Sequence, residues 1–170
     1  MLTHTSFKTA FGSIAFAATD KGLVYMVMTG KEPEHAERRL LKECPDSTRD
    51  DRVLPRFRKQ LRDYFAGRKV RFDVEVDLSS MTDFQRKVLH ACADIDYGKV
   101  ATYGELARMI GKPRAARAVG AALGRNPFPL VIPCHRIIAS DGRLCGFSAE
   151  QGVNLKKRLL ELEQQPATIG

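Results

Sequence analysis

The sequence predicts an α+β chain in two parts: a small mixed unit over residues 1–78 and a mostly helical unit over residues 79–170. Three observations carry this. In the first part, apolar residues alternate with period two in two stretches, with two segments of helical spacing between them. After residue 81 the spacing turns helical, and Thr82-x-x-Gln85 and Thr102-x-x-Glu105 have the form of capping boxes, whose side chains satisfy free N–H groups at a helix start. Between the parts lies "DLSSMT", residues 77–82, the one linker-like stretch.

Residues 11–28 read as a hairpin: Ile14, Phe16 and Ala18 alternate, "TDKG" turns, and Leu23, Tyr25 and Val27 alternate again. A helix follows over 33–43, with Ala36, Leu40 and Leu41 on one face. A second spans 54–66, with Leu54, Phe57, Leu61, Tyr64 and Phe65, and Gly67 ends it. Val70, Phe72, Val74 and Val76 then alternate as a half-buried strand. In the second part, the helix opened by Thr82 carries Phe84, Val88, Leu89 and Cys92 on one face, which places Cys92 in the core. The short helix "GELARMI", the turn "GKPR" and the helix "AARAVGAAL" follow. Two short helices joined by a tight glycine-containing turn form the helix-turn-helix pattern. Arg114 and Arg117 stand near the N-terminal end of its second helix, the end that faces DNA in such motifs. "RNPF" turns, "LVI" at 130–132 reads as a strand, "PCHR" as a loop, "SDGRLCGFS" as a polar turn, and 153–163 as a last helix.

The charge is unevenly placed. Residues 99–143 carry eight Lys or Arg against Glu105 and Asp141, so that segment alone is +6 of the total +8. A basic block of this kind is the electrostatic footprint of a nucleic-acid binder, although a solvated basic face has the same composition. No stretch approaches the roughly 18 apolar residues of a membrane span, and the N-terminus lacks the pattern of a signal peptide. A soluble, intracellular protein with no membrane partner is expected. Cys44, Cys92, Cys134 and Cys145 form no C-x-x-C pair, and with His4, His35, His90 and His135 they match no zinc spacing. No metal or cofactor is expected.

Chemistry concentrates in "PLVIPCHRII", residues 129–138. Cysteine is often a small buried hydrophobe, yet here Pro133 stops the apolar run just before the thiol, and His135 follows it. A thiol acts as a nucleophile when a neighbour creates the thiolate. His135 can do so through a bound water. A carboxylate would have to orient that histidine, and Glu161 and Glu163 on the last helix are both candidates.

The segments "YGKVATYGELA" (97–107), "AARAVGAAL" (115–123), "NPFPLVIPCHRII" (126–138) and "GFS" (146–148) resemble the methylated-DNA–protein-cysteine methyltransferases, also called O6-alkylguanine-DNA alkyltransferases. The resemblance is strong over residues 82–163; over 1–80 it is one of length and layout. It implies a ribonuclease H-like α/β domain over 1–78, without nuclease activity. It implies a helical, winged-helix-like domain with a helix-turn-helix over 79–170. The implied activity is DNA repair in a single turnover. O6-alkylguanine, and O4-alkylthymine, is flipped out of the duplex and its alkyl group passes irreversibly to Cys134. Flipping suits this chemistry because the substituent is unreachable within the stack. The resemblance implies His135 as base, Glu163 as its orienting carboxylate, and Asn126 as the brace between the recognition helix and the active-site loop. Tyr103 would contact phosphate and the flipped base, Arg117 would fill the gap in the duplex, and Arg114 and Ser140 would contact the DNA. Phe147 and the Ser148 N–H would line the base pocket, with Phe147 standing where tyrosine is common. Cys145 stands where small residues are usual, and is a candidate second thiol near the pocket. The partner would be double-stranded DNA carrying O6-alkylguanine. The protein is expected to be a monomer of the cytoplasm, nucleoid-associated or nuclear according to host. Two other readings are a cysteine hydrolase, which leaves the basic helix pair unexplained, and a lesion sensor without transfer, a class that lacks the cysteine.

Overall fold

Strand β2 (Gly12–Thr19) organises the N-terminal unit, Met1–Asp77. It pairs antiparallel with β3 (Gly22–Thr29) and with β1 (Thr3–Thr9), and a two-residue β4 (Thr48–Arg49) runs parallel to β1 at the far edge. The structure, a computed structural model, describes residues 1–145 and 152–164. Successive strand residues face opposite sides of a sheet, and β2 is buried on both. Ala15 and Ala17 pack against Ala36 and Leu40 of helix α1 (Pro33–Glu43). Phe16, on the opposite face, meets Phe57 of helix α2 (Pro55–Phe65) with ring centroids 5.1 Å apart. The alternation read from the sequence is therefore one of large against small. The alanines let α1 approach, while edge-on contacts run Phe7–Phe16–Phe57–Phe72 beside α2. Phe16 and Phe57, the two buried rings of this row, each contribute roughly 1.5–3 kcal/mol from lost water contact.

The structure departs from the sequence reading at three places in this unit. First, residues 70–76 alternate in exposure but form only one parallel bridge, between Leu23 and Val76. The segment is held there by Leu23 N–H to the Glu75 carbonyl and Asp77 N–H to the Leu23 carbonyl, both 2.8 Å. Farther back, the Gln60 side chain of α2 takes the place of a strand partner, donating to the Arg71 carbonyl at 3.2 Å. Gly22 has φ +130°, and a Cβ there would stand 2.5 Å from the Glu75 carbonyl oxygen, so only glycine admits this docking. Second, Leu54 precedes α2 instead of joining its apolar face; its φ is +46°, and Pro55 takes the first helical turn. Third, β1 carried no apolar alternation, because its polar side chains are buried in hydrogen bonds. His4 Nε2 meets Glu37 Oε1 at 2.8 Å and His4 Nδ1 meets Ser47 Oγ at 2.9 Å. Arg49 donates to Glu37 Oε2 at 2.8 Å, and Thr5 to Asp51 at 2.8 Å.

A second unit begins at Leu78 and includes Gly152–Gln164. Both capping boxes form. Thr82 and Gln85 open α3 (Asp83–Ala93), and Thr102 and Glu105 open α4 (Tyr103–Met109). Val88, Leu89 and Cys92 of α3 are buried, with Cys92 fully enclosed. Gly111, at φ +75°, ends α4, and α5 (Ala116–Gly124) follows after a short turn. Arg114 lies in that turn, just before α5. Strands β5 (Ala101–Thr102) and β6 (Ile137–Ile138) pair in parallel, Ala101 with Ile137 and Thr102 with Ile138. This pairing fixes the start of α4, where Tyr103 stands, beside the segment that follows the cysteine. Helix α6 (Gly152–Gln164) packs against the turn Cys134–Arg136.

Candidate active site

The expected strand at 130–132 is absent. Residues 129–132 form a turn in which Leu130 has φ +73° and Ile132 N–H reaches the Phe128 carbonyl at 2.9 Å. Pro127, Pro129 and Pro133 remove the N–H groups a ladder would need. Asn126 organises the turn instead. Its Oδ1 accepts from Phe128 N–H at 2.9 Å, and its Nδ2 donates to the Ile132 carbonyl at 2.9 Å and to Cys134 Sγ at 3.3 Å. Cys134–Arg136 then closes as a single 3-10 turn, Arg136 N–H bonding to the Pro133 carbonyl. The cysteine is delivered to the start of a tight helix and not to an open loop.

The adjacent side chains are buried and paired. His135 Nε2 and Glu163 Oε2 are 2.5 Å apart, and Arg136 Nε donates to Glu163 Oε1 at 2.7 Å. The His135 and Glu163 side chains are 0% and 1% exposed. Of the two candidate glutamates, Glu161 is solvated and lies 4.0 Å from Lys157, so Glu163 alone meets the histidine. Arg136 also donates to the Ile95 carbonyl at 2.6 Å and sits over the Tyr97 ring.

The electrostatics are coherent. Burial pushes the Cys134 thiol up, against the lowering effects of the Asn126 amide, the Lys156 charge and backbone N–H groups. The resting group is therefore a thiol that needs a base. Burial pushes His135 down, with Glu163 opposing, so at neutral pH the imidazole is uncharged and able to accept a proton. Burial raises Glu163 too, but His135 and Arg136 outweigh it and hold the carboxyl at about 2. A protonated nucleophile, a neutral histidine and a fixed carboxylate can together perform proton removal and nucleophilic attack.

Lys156 of α6 was missed by sequence reasoning. It is fully buried and donates to the Cys145 carbonyl at 3.0 Å. Tyr103 Oη donates to the same carbonyl at 2.8 Å, and the Lys156 ammonium stands 5.8 Å from the Tyr103 ring centroid. The available signal was spacing: Lys156, Leu159 and Glu163 recur on one face of α6, so a charge lay on its buried side. Arg136 was also missed, and no periodicity marks it. Cys145 is exposed, with its thiol 3.9 Å from Tyr103 Oη.

Thus Cys134, Asn126, His135 and Glu163 converge, and Tyr103 stands on α4 with its hydroxyl on the Cys145 carbonyl. Arg114, Arg117 and Ser140 are exposed on the turn before α5, on α5, and at the start of the turn after β6. Phe147 and Ser148 lie outside the described residues. Among the described residues no group of three or more His, Cys, Asp or Glu is placed to hold a metal ion, and no helix is long and apolar enough to cross a membrane.

The signature described as "6-O-methylguanine DNA methyltransferase, ribonuclease-like domain" matches residues 2–78, and that of the "DNA binding domain" of the same family matches residues 83–165. A methylated-DNA–protein-cysteine methyltransferase of Methanosarcina acetivorans is 39% identical over 162 residues, 94% of this chain and 97% of that one. One from Mycobacterium tuberculosis is 51% identical over 108 residues, a match that spans 64% of this chain and 64% of the relative's length. The crystal structure of Mycobacterium tuberculosis OGT in complex with DNA superimposes with a TM-score of 0.82 at 37% identity, covering 95% of this chain and 92% of that one. With both domains matched and a near full-length relative at this identity, the chain belongs to the methylated-DNA–protein-cysteine methyltransferase family.

Proposed function

We propose that this chain repairs DNA by taking the alkyl group of O6-alkylguanine, and of O4-alkylthymine, onto Cys134, once per molecule. The observation that carries this is the buried cluster in which Asn126 touches Cys134 Sγ and Glu163 holds His135. The thiol proton passes to a water and from it to His135. Glu163 occupies Nε2, so the nitrogen that takes the proton is Nδ1. The thiolate sulfur attacks the alkyl carbon as the carbon–O6 bond breaks, and the electron pair leaves with the guanine, which is then protonated. The product is a thioether that no group in the cluster is equipped to cleave.

DNA is the partner we assign, following the Mycobacterium tuberculosis relative crystallised with it. The functional division is 1–78 as scaffold and 79–170 as the DNA-binding and acceptor domain. In this reading α4 and α5 act as a helix-turn-helix in the minor groove, and the basic segment 99–143 supplies most of the salt-dependent affinity. Arg117 fills the space of the flipped base, and Arg114 and Ser140 contact phosphate. Tyr103 contacts phosphate and the base, and must first release the Cys145 carbonyl. The protein works as a monomer in the compartment that holds the DNA, the cytoplasm or the nucleus. The test is the intact mass after incubation with duplex DNA containing O6-methylguanine. One methyl group per molecule, mapped to Cys134, is expected. Unchanged mass with retained binding would make the protein a sensor, and repeated turnover would make it a hydrolase.

A further inference from the structure

We infer that Arg136 is a positioning residue for the transfer: it clamps one oxygen of Glu163 so that the other is presented to His135 Nε2, and so fixes which imidazole nitrogen carries the proton. This rests on the reading of Cys134 as acceptor and His135 as its base.

A carboxylate has two equivalent oxygens, and alone it would not dictate a tautomer. Here the two are made unequal. Oε1 receives Arg136 Nε at 2.7 Å and the Gly98 N–H at 3.4 Å, both donors. Oε2 faces His135 Nε2 at 2.5 Å. With donors on Oε1, the group stays a carboxylate and Oε2 is an acceptor only. The proton between Glu163 and His135 therefore belongs to Nε2, and Nδ1 keeps its lone pair. Arg136 is itself held rigidly, by the Ile95 carbonyl at 2.6 Å and by the Tyr97 ring 5.7 Å away. Its side chain is 8% exposed, so little water screens its charge.

Charge balance gives the same answer. The titratable and charged groups around this pair are Glu163 and Lys156 on α6, Arg136 and Cys134 on the 3-10 turn, Cys92 on α3 and Tyr97 in the loop beyond it. Arg136 neutralises Glu163. Without it, the buried carboxylate would be balanced by a second proton on His135, and an imidazolium cannot accept a proton from the water. After burial, Glu163 and Arg136 act on His135 in opposite directions, Glu163 favouring the proton and Arg136 disfavouring it. Removing Arg136 leaves Glu163 opposed by burial and by Lys156 alone, and the balance moves toward the proton.

The experiment compares wild type, Arg136→Gln and Arg136→Lys with 15N-labelled histidine. NMR follows the ring nitrogens of His135 across pH. In parallel, the single-turnover rate is measured against pH with free O6-benzylguanine. Wild type should show His135 neutral with its proton on Nε2 at pH 7. In Arg136→Gln the His135 midpoint should rise by about one pH unit. The acid limb of the rate profile should move up with it, and the rates of the two proteins should converge on the alkaline side. Arg136→Lys keeps the charge and should restore the wild-type profile. A wild-type proton on Nδ1 overturns the inference. So does an unmoved midpoint in Arg136→Gln with the rate lowered equally at every pH, which is what a purely structural tie would give. If Arg136→Gln does not fold, the wild-type spectrum and the Arg136→Lys profile decide; a shifted acid limb in folded Arg136→Lys rejects the role. If wild type takes up no alkyl group, the functional reading fails, while the histidine spectra still decide what Arg136 does to His135.

Discussion

The two units each contain a buried histidine whose Nε2 meets a glutamate that also receives an arginine: His4–Glu37–Arg49 in the first, His135–Glu163–Arg136 in the second. The constellations are alike and their surroundings are not. His4 has its other nitrogen on the Ser47 hydroxyl, and Ser47 is turned to the Cys44 carbonyl. Glu37 is 21% exposed, whereas Glu163 is 1% exposed. Beside His135 stands a thiol that accepts a hydrogen bond from Asn126. The first cluster pins β4 to β1 and α1. The second is shut away from water and placed beside a nucleophile. A His–Glu–Arg set is thus not itself a catalytic signature; the neighbour and the burial decide.

The comparison breaks most completely at the thiol. Cys134→Ala should abolish uptake of the alkyl group, by intact mass, and leave DNA affinity largely intact by fluorescence anisotropy, because phosphate contacts on other elements dominate binding. Methyl uptake by this variant, at Cys145 for example, would show that the acceptor is wrongly assigned.

Matched substitutions in the two clusters come next. Glu163→Gln should slow single-turnover transfer by about 100-fold, the lower range of general base effects. It should also cost about 3 kcal/mol of stability, since Arg136 is left buried without its carboxylate. Glu37→Gln should leave the transfer rate unchanged and cost about 1 kcal/mol. Equal rate effects in the two variants would erase the distinction between the two clusters. Stopped-flow transfer and urea unfolding measure both.

Acid should also separate the units. His135 has a lowered value when folded, so its contribution is present above 6.5 and is lost as pH falls below that. Glu163 is held at about 2 against its ordinary 4.5, so its contribution is full above 4.5 and disappears as pH falls toward 2. For a buried carboxyl that shift corresponds to on the order of 3 kcal/mol. Unfolding followed by hydrogen exchange between pH 7 and 3 should show amides of α6 losing protection before those of β2. Simultaneous loss would contradict this.

The smallest effect lies within the second unit, between its exposed arginines. Arg117→Ala should slow repair of duplex DNA about 10-fold while sparing reaction with free O6-benzylguanine, because flipping costs a few kcal/mol that the arginine offsets. Arg114→Ala should weaken binding evenly and lower the salt slope by about one. Equal slowing of duplex and free base by Arg117→Ala would instead tie that residue to the pocket.

What the sequence made legible was whatever local chemistry dictates. The hairpin, the helices and both capping boxes depend on nearby residues, and Cys134 stood out because a proline and a histidine flank it. What stayed hidden depends on distant partners. Strand β1 is polar and makes sense only once Glu37, Ser47 and Arg49 arrive around it. The stretch "LVI" has the composition of a strand, yet Asn126 and three prolines fold it into a turn. Lys156 and Arg136 are enclosed by carbonyl, ring and carboxylate partners that come from other segments of the chain.

Asn126 commits both ends of its amide: the oxygen to a backbone donor, the nitrogen to a carbonyl and to sulfur. Ageing asparagines commonly lose their amide nitrogen when the next backbone nitrogen attacks the side chain and closes a succinimide ring. The next residue here is Pro127, whose nitrogen carries no hydrogen to give up. The same proline that breaks the strand therefore blocks conversion of Asn126 to aspartate, which would set a negative charge against the thiol. On the proposed single-turnover reading each molecule has one shot to keep intact for as long as it stands idle, and this dipeptide closes one chemical route by which it would be lost.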